Sequence, residues 1–546
     1  MSQGAADSPF NKDVVSLGKK MDLAYDNKDE GKLRSLIDDA KKMIPELDAA
    51  SQFYLYYILG TTQANLADFH IPHYHEKNLE KRIYYLRKCE ESLKQIPEDV
   101  YSTFEPHIVG LERQLYVNYA ICLDDCGRCI AALPNYFKAL KIDKQFGMAL
   151  GNIGLTYSWY ARLVYDKGHR YYLHQYAYRY LKEAISYPDS LHPEAFKVFS
   201  DAISGYVPGS FTNFLEQPLK LKKGTSEEIE IQSYRLGGFK VLSKAIFEST
   251  PAFIKKILQH LPLKKGISED KEEQNYRQWV LESHLFLHPL NDLPDHNFCY
   301  ATDFLHLPNI IFGINENPVC LGIFNQIKQE YIFARYLYYE SLHILEKPHF
   351  ADKDTYLVDT LDYSLYSIRL EKMKTAFRIL YSLLDKVAFF INCYFNIGLD
   401  ESEINFNTFW KKVKSTLQNE KYVDLTQNTP LNAICWIRKD FYEKLCESPN
   451  PDAKYLKDLR HALEHKYVKI CLAKELMQDT RYIDDLAKYY SEQELRDHTL
   501  SMLNIVREVI IYLVMAVEIE EKNKASKIKT PIGNIPMTSY EDEWKI

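Results

Sequence analysis

A short self-match places the strongest limit on what this chain can fold into. Asn118-Tyr119-Ala120 returns 34 residues later as Asn152-Ile153-Gly154, and Leu123 and Tyr157 keep the same offset. After the first copy come Gly127, Ala132, Tyr136 and Ala139. These spacings suit a helix–turn–helix unit that needs small residues where its helices touch and an aromatic between them. One such unit cannot bury its apolar face alone, so units of this period stack. From about Gly31 to Ser190 apolar residues recur at helical spacing with short breaks. An earlier unit carries Leu59-Gly60 in its first helix and Tyr85–Cys89 in its second, with an insertion around Phe69–Lys77. A later one runs from Gly154 through Tyr180 to Ala184, again with an insertion.

This pattern resembles the tetratricopeptide repeat, an array that binds peptides or partner proteins along a concave face. The resemblance implies a protein or peptide partner on residues 31–205, behind an N-terminal tail and first helix at 1–30. A stretch rich in Pro, Gly, Thr and Lys opens at Gly205. With a helix at about Tyr234–His260 it forms a linker and connecting segment over 206–275. The texture then changes at Tyr276 and Trp279, through His288-Pro289-Leu290-Asn291-Asp292-Leu293 and a loop-rich Leu305–Pro318. Long helices are predicted at Asn325–Leu345, Leu361–Ile397, Leu431–Cys446, Asp452–Leu476 and Glu494–Asn523, making 276–523 a separate helical bundle. Residues 524–546 read as a flexible tail. The expected fold class is all-α.

Composition narrows the function. Across 546 residues a hydrophobic share of 46% and a charged share of 26% suit globular domains. A net charge of −7 means that any nucleic-acid site is a local basic patch. The 42 tyrosines fit repeat packing first and base stacking second. Met1–Asn11 is polar, unlike a secretory leader. The apolar runs Val387–Tyr394 and Val509–Val517 fall short of the roughly 20 residues of a membrane span. Ten scattered cysteines suit a reducing compartment. The expected location is cytoplasmic, with no membrane partner.

Cys122, Cys126 and Cys129 have the spacing of a three-thiolate iron–sulfur motif. They straddle a repeat, and packing thiols explain them better. His70, His73 and His75 sit in an insertion without strict zinc spacing. No metal and no cofactor are expected.

Lys454–Lys474 carries the chemistry. Leu456, Leu459, Leu463, Tyr467 and Ile470 read as an apolar stripe on one helix. His461-Ala462-Leu463-Glu464-His465 spells the inverzincin zinc-protease pattern, two imidazoles one turn apart with a carboxylate between. Arg460 and His465 spell Arg-x4-His, extended by Tyr467. With 18 arginines and 17 histidines such a pair arises by chance about half the time, so context must decide. The inverzincin fold is a mixed α/β domain, and the strands it needs are not read here. The antiparallel helical bundle around this segment is similar to the HEPN ribonucleases, whose signature is Arg-x4-His. Asn325–Tyr331 with Arg335, the Arg378–Lys386 helix and the Pro289–Leu293 loop look like a large-chain HEPN subfamily with helical repeats in front. The resemblance covers about residues 276–520.

That resemblance implies an endoribonuclease needing no metal. Cleavage through the ribose needs a base for the 2′-hydroxyl, an acid for the leaving oxygen and a cation for the phosphorane. His465 fits the first two roles and Arg460 the third, with His461 sharing or orienting the proton transfer. Lys457, Lys466 and Lys469 are the expected RNA-binding lysines. Five residues of ideal helix turn Arg460 and His465 about 140° apart, so a homodimer through the second half would pool them, as HEPN domains do. Tyr467 reads first as part of the apolar stripe with Leu463 and Ile470. It also matches the position that partner nucleotidyltransferases modify in some HEPN toxin–antitoxin pairs, and the resemblance then implies a regulatory modification there with such an antitoxin as partner. The family further implies antiviral or toxin–antitoxin defence gated by the repeats. A non-enzymatic helical scaffold for protein partners is the alternative. A zinc protease on His461, Glu464 and His465 comes third.

Overall fold

The structure, a computed structural model, describes residues 8–69, 76–187, 270–296, 300–313, 319–343, 347–416, 428–442, 452–472, 484–528, 540 and 542–545. The first half is a series of helices: α1 (Lys12–Asp26), α2 (Glu30–Met43), α3 (Ala49–Asp68), α4 (Glu76–Leu93), the short α5 (Glu98–Thr103), α6 (Glu105–Asp125), α7 (Cys129–Ile142), α8 (Gly147–Leu163) and α9 (Lys167–Ala184). Side chains of Asn11, Asp29, Asp48 and Asp166 cap α1, α2, α3 and α9 by accepting backbone N–H bonds that no helical carbonyl can. Consecutive helices pack as pairs: α1 on α2, α3 on α4, α6 on α7, α8 on α9. Small residues set these contacts. A Cβ on Gly60 would meet Leu86 at 2.8 Å, and one on Gly154 would meet the Ala177 carbonyl at 2.9 Å. The 34-residue offset seen in the sequence thus falls on α6 and α8, with Ala120, Leu123, Ile153 and Tyr157 all buried. The segment 206–269 with its expected connecting helix lies outside the described residues.

The second half comprises α10 (Lys271–Glu282), a 3₁₀ turn at Pro289–Asp292, α11 (Val319–Leu342), α12 (Ile368–Tyr394), α13 (Phe406–Thr416), α14 (Thr429–Tyr442), α15 (Asp452–His465), strands β1 (Tyr467–Cys471) and β2 (Ala487–Ser491), and α16 (Glu492–Lys527). Helix α16 is the axis of the bundle, packed by α11, α12 and α14. Ser491 and Glu494 start it with a reciprocal capping box. By length and composition α16 could cross a membrane, but 83% of its apolar window is buried inside the protein.

The two halves are not separate. One continuous core runs from Val117 in α6 to Val517 in α16, and the seam across it is polar as well as apolar. Arg128, at the α6–α7 turn, donates to Glu508 at 2.9 and 3.0 Å and to Asp440 at 2.7 Å. Arg507 donates to Asp292 at 2.7 Å, whose other carboxylate oxygen takes the Tyr160 hydroxyl from α8. Gly127 holds φ at +80°, and a Cβ there would meet the Thr429 carbonyl of α14 at 2.8 Å, so only glycine fits between the halves.

The all-α class holds, with local departures. The helix expected over Asp452–Leu476 ends at His465. Tyr467–Cys471 is instead a strand, parallel to Ala487–Ser491 in the register Tyr467↔Ala487 to Cys471↔Ser491. Its far edge takes Leu365 N–H on the Ile470 carbonyl at 2.7 Å. Tyr467 and Ile470 therefore do not extend the stripe of Leu456, Leu459 and Leu463. β-branched and aromatic residues, once paired with a segment 20 positions away, outweigh a helical period. For the same reason α12 begins at Ile368, with Leu361–Ser367 outside the helix.

Candidate functional site

Helix α15 presents two faces. Leu456, Leu459, Ala462 and Leu463 are buried against the bundle. Its last turn is anchored by Arg378 of α12, whose Nη2 donates to the Leu463 carbonyl at 2.8 Å. That bond satisfies a carbonyl left without a helical partner and holds the chain where it leaves the helix. On the outer side lie Arg460, His461, Glu464 and His465. Glu464 joins them, with a carboxylate oxygen 2.8 Å from Arg460 Nη2 and 3.7 Å from His465 Nε2. The His461 and His465 rings are 5.3 Å apart. The His465 side chain is 57% exposed and that of Arg460 33%. One helix end thus brings together the three residues expected to act on RNA.

Beside them is an open cavity of about 350 Å³, lined by Tyr381, Tyr442, Lys457, Asp458, Arg460 and His461. The Tyr381 and Tyr442 hydroxyls share a 2.6 Å hydrogen bond. The Arg460 guanidinium lies 5.2 Å above the Tyr381 ring and Lys457 Nζ 5.2 Å above Tyr442. Burial pushes the Tyr381 hydroxyl far above its ordinary range. One turn further along α12, burial also raises the Asp385 carboxyl, against the pull of the Phe406 N–H and of Arg460. The cavity wall therefore sets two cations over aromatic ring faces, with the Asp458 carboxylate beside them.

The lysines divide. Lys457 lines the cavity, and Lys466 is exposed directly after His465. Lys469 must be withdrawn from the RNA-binding set. Its side chain is buried under β1 and paired with Asp362, with Thr360 Oγ1 at 3.3 Å. Burial alone would lift the Asp362 carboxyl, yet donors from Lys469, Thr360, Ser364 and Tyr489 hold it well below the carboxylate range. On β1 Lys469 shares a face with Tyr467 and Cys471, and it is buried because Asp362, far away in sequence, pairs with it, which a helical reading cannot show. Tyr467 is 46% exposed, with Lys469 Nζ 5.3 Å from its ring.

The remaining clusters do not assemble. Cys122, Cys126 and Cys129 are buried, and burial pushes the Cys122 thiol up to about 12, away from the thiolate a cluster requires. His70, His73 and His75 lie outside the described residues. Among the described residues no three His, Cys, Asp or Glu side chains gather as a metal site would need, and Glu464 is engaged by Arg460.

Sequence reasoning missed Arg378, Tyr381 and Asp385. They recur at i, i+3 and i+7 in the Arg378–Lys386 segment, so they share one face of α12. Tyr442, the last residue of α14, carries no such signal.

Arg460, His461 and His465 stand together at the end of a late helix of this bundle. Residues 311–520 match the family described as LA2681-like HEPN, and this part of the chain belongs to the HEPN family. The match begins later than residue 276 and leaves the helix pairs of the first half outside it. No curated protein and no solved structure matches the chain. HEPN domains are commonly ribonucleases.

Proposed function

We propose that the protein is an endoribonuclease that cleaves RNA by attack of the ribose 2′-hydroxyl, with Arg460, His461 and His465 as its reacting groups. The observation that carries this reading is their clustering at one exposed helix end beside a nucleotide-sized cavity, within a HEPN domain. His465 takes and returns protons, and His461, 5.3 Å away ring to ring, shares or orients that transfer. Arg460 grips the phosphorane with two donors once Glu464 releases it. A homodimer that brings two α15 helices together would offer Arg460 of one protomer to the scissile phosphate held by His465 of the other. The helix pairs of the first half are the surface for a protein partner that controls the enzyme, in keeping with a role in cellular defence.

Incubation of the full chain with single-stranded RNA tests this directly. Cleavage should persist with chelator and leave 2′,3′-cyclic phosphate ends, and DNA should stay intact because it lacks the nucleophile. His465→Ala should lower the rate by about 10²–10⁴-fold with unchanged melting. Mixing inactive Arg460→Ala and His465→Ala proteins should restore part of the activity through hybrid dimers. Full activity in His465→Ala, or 3′-hydroxyl products that vanish with chelator, would overturn the assignment.

A further inference from the structure

We infer that the cavity beside Arg460 is a base subsite, and that it takes a guanine of single-stranded RNA next to the cleaved phosphate. This rests on the ribonuclease reading of Arg460 and His465 and adds a substrate preference to it. Lys457, His461 and His465 stand at i, i+4 and i+8 on α15, and Asp458 borders the same stripe. At 1.5 Å per residue, Lys457 and Asp458 lie about 10–12 Å before His465 along the helix axis. That separation is within the reach of one nucleotide. The cavity, about 350 Å³, sits at the lower end of the range for small-ligand sites, roughly 300–1,000 Å³. It has room for one nucleoside and none for a duplex.

Charge then orients the occupant. Arg460 and His461 make the end nearer His465 attractive to phosphate. The Asp458 carboxylate makes the other end hostile to phosphate and receptive to N–H donors, while Lys457 and the paired tyrosine hydroxyls offer donors and an aromatic wall. Single-stranded bases are read in this way, flat against aromatic or guanidinium planes and hydrogen-bonded along their Watson–Crick edges. Among the four RNA bases, guanine alone presents two neighbouring donors on that edge, N1–H and the 2-amino group, which a carboxylate accepts together. Its O6 is an acceptor for the Lys457 ammonium.

The test uses uridine-rich RNA strands carrying a single guanosine, adenosine, cytidine or inosine, with the full-length protein. Wild-type protein should cut next to guanosine in preference to the others by roughly 10–100-fold, the discrimination expected of one two-bonded base contact. Inosine keeps N1–H and O6 but lacks the 2-amino group, so it should be cut several-fold more slowly than guanosine. Asp458→Asn should erase the difference between guanosine and inosine, a ratio that a general loss of folding would not move. Anisotropy of the same labelled strands on His465→Ala protein reads binding without cleavage and should show the same order. Cleavage that depends on His465 but is equal at guanosine and inosine would overturn the subsite and leave the ribonuclease reading standing. Absence of both RNA binding and cleavage would overturn the two together.

Discussion

The seam between the halves and the free end of α15 are built from the same materials, arginine and carboxylate, and burial makes opposites of them. Arg507 is buried, and its donors go to Asp292 at 2.7 Å, the Phe286 carbonyl at 2.7 Å and the His288 carbonyl at 3.1 Å. Arg128 is likewise saturated by Glu508 and Asp440. Arg460 is a third exposed, makes its ion pair with Glu464 alone, and its Nε has no hydrogen-bond partner among the described residues. A guanidinium whose three nitrogens all donate to buried acceptors holds two elements in register. One with donors left over, beside a cavity and two histidines, is placed for a ligand. Losing the first kind should cost stability, and on the proposed function losing the second should cost activity.

The largest expected effect is on the seam. Arg507→Met keeps bulk but strands the buried Asp292 charge, and should cost about 3–5 kcal/mol in urea unfolding. Because Arg507 of α16 and Tyr160 of α8 share Asp292, and the core is continuous, both halves should unfold in one transition. Two resolved transitions would mean that the halves are energetically separate after all. For the same reason residues 276–523 alone should aggregate, since the α16 face that covers α7 would be stripped bare.

A middle-sized effect separates two lysines three residues apart. Lys469→Ala leaves Asp362 with donors from Thr360, Ser364 and Tyr489 only, and should cost about 1–3 kcal/mol with RNA affinity unchanged at fixed folded fraction. Lys466→Ala should leave unfolding unaltered but lower the slope of log affinity against log salt by roughly 0.7, one phosphate contact on a single strand. Equal effects of the two on salt dependence would contradict the burial of Lys469.

A further effect is one of pH. Asp124 in α6 is half-buried, accepting from Tyr136 and Thr156 at 2.7 Å each, and desolvation pushes its carboxyl up to about 7 from 3.8. The folded state holds this proton more tightly than the unfolded one. Its contribution to stability is therefore full below about 4 and is lost as pH rises through about 7. Asp124→Asn should flatten the fall in melting temperature between pH 5 and pH 8. An unchanged fall would place the titration elsewhere.

Much of this was written along the chain, and some was not. The helical class, the small residues at Gly60 and Gly154, and the pairing of His461 with His465 follow from spacing, because a 3.6-residue period fixes which side chains share a face. Arg460, by contrast, lies about 140° from His465 by that period and is joined to it through Glu464. The fate of Lys469 and Tyr467 does not. Their helix ends because Tyr467–Cys471 pairs with Ala487–Ser491, and Lys469 turns inward because Asp362, more than a hundred positions earlier, waits beneath it. The union of the halves is of the same kind, since Arg128 meets Glu508 across 380 residues. Local period determined where helices form and that His461 and His465 share the outer face of α15. Partners distant in sequence decided where α15 stops, which charges are buried and which stay open to a ligand, because desolvation depends on what packs against a side chain and that is settled only when the whole core closes.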